Sequence, residues 1–334
     1  MNEDPRVFSE IFLERAENFT SNYGSSFNLR LGSKVVKLGL NSKTQVGSMI
    51  ENAFIKVDMD NNSPDFELHI WDSSFPDLLP DFSWATNSIF SNQVIDFELT
   101  KPYLILFDRG QGMISVYNTE SKKGAVWMRD HSQLDLRCFV SPFRTILSWI
   151  ANSFDSEILH AASIVIDGQG ILFSGASGSG KSTLALYAAL NGYGILGDDA
   201  VLFEEGNLFS IYSRAKVNND NSLLDTSKIK KEDFPNFSGK KIINLSEFGE
   251  NFRYKATMGS FVFPVIVDLS HISLINHEVA ARYLIGQSLR EVFGGLPKNK
   301  IRLIRLLRNY KSYRFALSGD LDRDLKTLQK KLAE

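Results

Sequence analysis

One cysteine, Cys138, in 334 residues excludes an internal disulfide framework and any metal site built from several thiolates. It has no activating neighbour in sequence, so it reads as a buried thiol rather than a nucleophile. Surplus charge is also lacking: 37 Lys+Arg stand against 39 Asp+Glu, a net charge of −2. That balance argues against a chain-wide nucleic-acid or membrane-surface role and leaves room only for a local charged site. No apolar run approaches the roughly 18 residues needed to span a bilayer. The start, Met1-Asn-Glu-Asp-Pro5, lacks the basic-then-apolar build of a secretory leader. Together these absences predict a soluble cytoplasmic protein without nucleic-acid or membrane partners. His69, His131, His271 and His277 show no metal-ligand spacing with acids or with Cys138.

What is present is ordinary core material, 43% hydrophobic residues, enough for one large or two average domains. Residues 5–19 place Val7, Phe8, Ile11, Phe12 and Ala16 at helical intervals, with Asp4 as N-cap before Pro5. After a Ser/Gly-rich break the pattern turns to strands. FNLRLGSKVVKLGL, FELHIWD and VIDFEL alternate, and YLILFDRGQGMISVYN predicts a hairpin closing at Gly110 and Gly112. SSFPDLLPDFSW, with two prolines, predicts a loop. Residues 1–128 thus read as a smaller β-rich N-terminal domain with a leading helix, and 129–334 as an α/β domain with a helical C-terminal end. In the latter, SPFRTILSWIANSF predicts a helix, ILHAASIVID and QGILF predict strands, STLALYAAL predicts a helix stopping at Asn191-Gly192, and GILGDDAVLFEEGNLFSIY predicts two more strands. NKIRLIRLLRNYKSY and DLDRDLKTLQKKL predict amphipathic helices joined by a short strand, RFALSG.

The sharpest signal is Gly175-Ala176-Ser177-Gly178-Ser179-Gly180-Lys181-Ser182, a full match to G-x-x-x-x-G-K-[ST], set between a predicted strand and a helix opened by Ser182 and Thr183. Its glycines let backbone N–H groups turn toward phosphate oxygens, and the helix N-terminus adds partial positive charge there. Lys181 is placed to bridge β- and γ-phosphates, and Ser182 to ligate Mg²⁺ through its hydroxyl. Asp198-Asp199 follows the next predicted strand, whose end can sit beside the phosphate loop. One carboxylate suffices as a metal partner, and a second can accept a proton from an attacking hydroxyl. His160 opens the strand pair ahead of the loop. Alone, a histidine in that position is more often hydrogen-bonded scaffolding than catalyst.

The run His160-Ala-Ala…Gly175-x-Ser177-Gly-x-Gly180-Lys181-Ser182…Gly192-Tyr…Asp198-Asp199 resembles the catalytic domain of HPr kinase/phosphorylase, and most closely the HPr-kinase-related proteins of biosynthetic gene clusters, some of which phosphorylate peptide seryl groups. Ser141-Pro-Phe-Arg144 and Ser210-Ile-Tyr-Ser213-Arg214-Ala-Lys216 extend the likeness over about residues 140–220. The resemblance implies a P-loop domain grouped with phosphoenolpyruvate carboxykinase, with a mixed sheet. It also implies Asp198 as general base, Asp199 and Ser182 as Mg²⁺ partners, and His160 near the reaction centre. The E-x-R-G-L-G signature of true HPr kinases is absent after the aspartates, which removes support for HPr as substrate and for the phosphorylase reaction. Lys216, with Arg214, can supply positive charge at the transferred phosphoryl group.

Lys298, Lys300, Arg302, Arg305, Arg308, Lys311 and Arg314 form a basic run. With Ile301, Ile304 and Leu307 on one helical face, the run reads as the solvated side of an amphipathic helix. The expected activity is ATP- and Mg²⁺-dependent transfer of a phosphoryl group to a hydroxyl, most simply a seryl group of a peptide or protein. A sugar or nucleoside kinase and a non-catalytic nucleotide-binding regulator are the alternatives, and assembly into a homo-oligomer stays open.

Overall fold

The structure, a computed structural model, describes residues 4–41, 44–58, 63–73, 93–94, 97–108, 112–129, 134, 136–218, 223–224, 231–232, 239–291 and 297–334. The loop predicted over SSFPDLLPDFSW lies outside them. Mixed α/β architecture with several mixed sheets is observed, and the chain divides into two compact units, Met1–Asp155 and Ser156–Glu334. The sequence placed its boundary at 128/129. The difference lies in helix Arg144–Asn152, whose Ile146 side chain packs within the first unit, where it would lie 2.9 Å from a Cβ added at Gly124.

In the first unit, helix α1 (Pro5–Tyr23) starts as predicted, with the Asp4 carboxylate accepting from the Arg6 N–H. Strands β1 (Ser25–Leu31), β2 (Lys34–Leu40), β3 (Lys56–Val57), β4 (Phe66–Asp72), β5 (Gln93–Val94), β6 (Tyr103–Asp108), β7 (Met113–Asn118) and β8 (Lys123–Met128) form one sheet in the order β3-β1-β2-β4-β8-β7-β6-β5. Hairpin pairings are antiparallel, while β4 runs parallel to both β2 and β8. Phe8, Phe12, Ala16 and Phe19 of α1 bury against Trp71, Ile105, Val116 and Trp127. Each buried phenylalanine contributes about 2 kcal/mol of apolar transfer. VIDFEL is corrected in part: among the described residues Gln93–Val94 pairs as strand, while Phe97–Thr100 forms a helical turn with Leu99 exposed. Alternation without a partner strand does not hold a chain extended, and the Thr100 hydroxyl then donates to the Tyr103 carbonyl across the turn into β6.

In the second unit the principal sheet contains β9 (Glu157–Leu159), β10 (Ala162–Ile166), β11 (Gln169–Phe173), β12 (Gly194–Gly197), β13 (Val201–Glu204), β14 (Asn207–Ser210), β18 (Lys255–Ile266), β19 (His271–Ile275) and β20 (Lys311–Leu317). Its order is β12-β10-β11-β18-β14-β13-β9, with β20 also on β18 and β19 on β20. The intervening β15 (Arg214–Asn218), β16 (Lys231–Glu232) and β17 (Lys240–Asn244) make a small separate sheet. The GILG…SIY stretch holds three strands rather than two. Tight turns at Asp198–Ala200 and Glu205-Gly206 split it, and Asp199, Glu205 and Gly206 all take positive φ.

Helices cover both faces of the principal sheet. On one, helix α2 (Lys181–Leu190) and the C-terminal helix α3 (Leu321–Leu332) bury Leu184, Ala188, Leu325 and Leu328 against Ile164, Phe173, Val262 and Phe315. On the other, helices His277–Glu291 and Pro297–Asn309 pack Leu284, Leu303, Leu306 and Leu307 against Leu172, Phe261 and Phe263. Successive residues Leu172 and Phe173 therefore serve opposite layers, as the period-2 pleat requires. The apolar face of the basic helix is shifted from the one predicted. Leu303, Leu306 and Leu307 face the core, whereas Ile301 is 53% exposed. A helix with several aliphatic rows is turned by whichever row meets the sheet, which local periodicity does not decide.

Candidate active site

Four strands of the principal sheet end on one edge. β10 is antiparallel to both β11 and β12, so β11 and β12 run the same way, and β11, β18 and β20 are mutually parallel. Sites in open α/β sheets form beyond such carboxyl ends. β11 feeds Ser174–Gly180 and then α2, the strand–loop–helix order the motif requires. Gly178 (φ 81°) and Gly180 (φ 95°) take left-handed conformations. At Gly180 the left-handed backbone calls for glycine, and an added Cβ would also have to displace the tip of Leu317, whose Cδ1 lies 2.6 Å from that position. The Ser174 N–H donates to the Val262 carbonyl at 3.0 Å, tying the loop's start to β18. Ala176, Ser177 and Gly178 form its exposed tip.

The Lys181 ammonium is buried and folds over the loop, donating to the carbonyls of Gly175 (2.7 Å) and Ala176 (2.9 Å). Ser182, on the first turn of α2, donates its hydroxyl to Asp198 Oδ1 at 2.7 Å. Asp198 sits just past β12 and is 2% exposed; its other oxygen accepts the Lys216 backbone N–H at 3.3 Å. Burial, then the neighbouring Asp199 charge, push its carboxyl above the ordinary range, against the opposing pull of the Ser182 hydrogen bond and Lys216.

Asp199 adopts φ 73°, a left-handed conformation uncommon outside glycine and concentrated at functional sites. Its Oδ1 lies 2.9 Å from Lys216 Nζ and 3.6 Å from His160 Nδ1. His160 Nδ1 also lies 2.9 Å from the Asp199 carbonyl oxygen. A carbonyl only accepts, so Nδ1 carries the hydrogen, and in the neutral ring Nε2 is left as the acceptor. Lys216 clamps both acids, Asp198 by its backbone and Asp199 by its ammonium. Arg214, two residues back on β15 and so on the same strand face, is buried at 2% exposure.

The structure thus gathers Ser182, Asp198, Asp199, Lys216 and His160 through direct contacts, with Lys181 in the adjoining loop. It joins Ser182 to Asp198, whereas the resemblance assigned Ser182 and Asp199 together to the metal. Ser179 Oγ is buried with no hydrogen-bond partner among the described residues. That orphan hydroxyl, the glycine cradle and the hard oxygens of Ser182 and the aspartates fit a magnesium–triphosphate. Among the described residues no group of three or more His, Cys, Asp or Glu is arranged to hold a metal ion alone. Mg²⁺ bound through one or two side chains plus phosphate oxygens needs no such group. The contributions of β18 and β20, whose Val262, Pro264 and Leu317 back the loop, carried no sequence signal because they join the site only through long-range pairing.

No protein-family model matches the chain, and no curated protein matches it. Among solved structures, the Hpr(Ser) kinase/phosphatase from Coxiella burnetii matches at 14% identity and a TM-score of 0.27, over 53% of this chain and 99% of the other. A likeness at that score carries no weight here. No helix among the described residues is long and apolar enough to cross a membrane.

Proposed function

We propose that this chain is an ATP- and Mg²⁺-dependent phosphotransferase of the HPr-serine-kinase type, acting on a hydroxyl, with a seryl group of a peptide or protein as acceptor. The observation that carries the reading is the meeting of the phosphate loop with a paired-acid cluster: Ser182 on Asp198 at 2.7 Å, and Lys216 on Asp199 at 2.9 Å. Nucleotide binding alone requires no second carboxylate, whereas transfer to a hydroxyl requires a proton acceptor. Mg²⁺, held by Ser182 and one aspartate, would supply charge neutralisation on the triphosphate. Lys181 neutralises the transferring end, and Gly175–Ser182 position the phosphates through backbone N–H groups. Asp198, its carboxyl held above the ordinary range, takes the acceptor's proton. Lys216 and Arg214 offset charge developing beside the pair.

The Ser182–Asp198 bond favours a second allocation within the same activity. In it Asp198 serves the metal with Ser182, and Asp199, flanked by His160 and Lys216, takes the proton. Radiolabelled ATP offered with peptide, protein and metabolite acceptors tests the activity. Label on a seryl peptide supports the proposal, label only on a sugar or nucleoside moves the acceptor class, and no transfer to any acceptor defeats it.

A further inference from the structure

Acidic and apolar groups are segregated along the edge that carries the phosphate loop. The β12 end presents Asp198 and Asp199, with His160 and Lys216 beside them. The β18 end presents Ile266, Val267 and Leu269, which are 59%, 39% and 58% exposed. The loop lies between, because β11 is separated from β12 by β10 and pairs with β18 on its other side. Ile266 rims the loop itself: its Cγ1 is 3.8 Å from where a Cβ on Gly180 would stand.

The backbone of this apolar stretch is fixed. The Val267 N–H donates to the Leu317 carbonyl at 2.8 Å, and the Ser270 hydroxyl bonds Thr327 Oγ1 at 3.1 Å. The neighbouring β20 end is closed on itself, with Ser318 donating to Asp324 from both its backbone and its hydroxyl. Residues 266–269 therefore hold aliphatic side chains toward water on a braced turn, with exposed Asp268 among them.

We propose that Ile266, Val267 and Leu269 form an aliphatic shelf for the nucleoside of a nucleoside triphosphate whose phosphates lie in the Gly175–Ser182 loop. The inference rests on the phosphate-loop reading and adds the direction in which the ligand lies. The reacting end of the triphosphate belongs with the acids and cations at β12, so the nucleoside extends toward β18. There a flat base gains by covering apolar surface otherwise facing water, and the Asp268 carboxylate offers an acceptor to ribose hydroxyls or an exocyclic amine.

Calorimetry with ATP and with inorganic tripolyphosphate, each with Mg²⁺, separates the shelf from the loop. In the full chain, Ile266→Ser combined with Leu269→Ser is expected to weaken ATP about tenfold while tripolyphosphate stays within about twofold. Both positions are exposed, so the fold does not depend on them. Equal loss of both ligands, or no change in either, overturns the shelf. So does wild-type protein binding tripolyphosphate as tightly as ATP, or a drop in sedimenting mass that shows the patch joins two copies. If wild type binds neither ligand, the phosphate-loop reading fails and the shelf fails with it.

Discussion

His69 in the first unit and His160 in the second have nearly the same immediate chemistry. Both are buried, at 6% and 9% exposure. In each, Nδ1 has an oxygen partner: Thr20 Oγ1 at 3.1 Å for His69 and the Asp199 carbonyl at 2.9 Å for His160. Each also has a carboxylate oxygen at 3.6 Å, from Glu67 and Asp199 respectively. Their settings differ. His69 lies within β4 against Thr20 of α1, and its Nε2 has no hydrogen-bond partner among the described residues. His160 lies between two strands, and its acid is also held by a lysine and stands next to a second acid bonded to Ser182 on the first turn of α2. A buried histidine–carboxylate contact is therefore scaffolding in one unit and part of a charged cluster in the other. What distinguishes the two is placement: His69 lies mid-strand, whereas His160 sits where β9 and β10 meet, beside the acid pair.

The largest effect expected from breaking that contrast is on transfer. Asp198→Asn keeps size and one of the two accepting oxygens but removes basicity, and a positioned base contributes about 10²–10⁴-fold. With Asp198 as base, the variant binds Mg·ATP near wild-type affinity while transfer falls by about two orders of magnitude or more. Asp199→Asn then weakens the Mg²⁺ dependence of binding. The opposite pattern in the two variants assigns the metal to Asp198, and full transfer by both would remove the acid pair from catalysis. In the same assay His69→Gln is expected to leave transfer unchanged.

Next in size is a pH effect on the second unit. Glu157 on β9 is buried, with Arg302 Nη1 3.7 Å from Oε1, and burial pushes its carboxyl from the ordinary 4.5 up to about 7. The fold thus binds this proton more tightly than the unfolded chain does. The associated stability is present below pH 4.5 and is lost as pH rises from 4.5 through 7, amounting to about 3 kcal/mol. Glu157→Gln mimics the protonated form and is expected to remove that loss. Hydrogen exchange of β9 and β13 at pH 5 and pH 8 reads it directly. Equal pH dependence in variant and wild type would refute the assignment.

Smaller again is the binding contribution of one ammonium. Lys181→Ala is expected to weaken ATP by a factor of about ten or more, about 1.4 kcal/mol at the least. Equal calorimetric affinities would remove Lys181 from the phosphate site.

Much of this was legible because it is local. The Asp4-Pro5 start and Phe8/Phe12/Ala16 spacing mark α1, and the β6–β7 pairing follows from alternation on either side of its turn. The loop motif and Asp198-Asp199 mark the candidate site because the full G-x-x-x-x-G-K-S run lies between a strand and a helix and the paired acids close the next strand. What sequence left open is set by distant pairing. Lys216 reaches both aspartates because β15, braced by β17 in a small separate sheet, passes beside the β12 turn. Ile266 rims the loop and Leu317 backs it because β11, β18 and β20 align across more than a hundred residues of chain. The misplaced rows on Pro297–Asn309 and the lost strand at Phe97–Thr100 have the same origin: periodicity describes a face without naming its partner.

The smallest effect sharpens the comparison from the other side. Burial lowers the pKa of His69 below the ordinary 6.5, outweighing the raising influence of Glu67 and Glu17. The folded first unit therefore binds this proton less readily than the unfolded chain. Its associated stability is present above pH 6.5 and is lost as pH falls below that value, opposite in sign to the Glu157 effect. Trp71, Trp127 and Trp149 are buried in the first unit and the sequence from Ser156 onward has no tryptophan, so tryptophan emission reports on the first unit. Urea midpoints from tryptophan emission are expected to drop between pH 7 and pH 5 in wild type. His69→Gln, which keeps a polar side chain but cannot take the proton, should flatten that drop, at some cost at neutral pH for the altered contact to Thr20. A midpoint that falls as steeply in the variant as in wild type would show that the acid sensitivity of the first unit lies in another group.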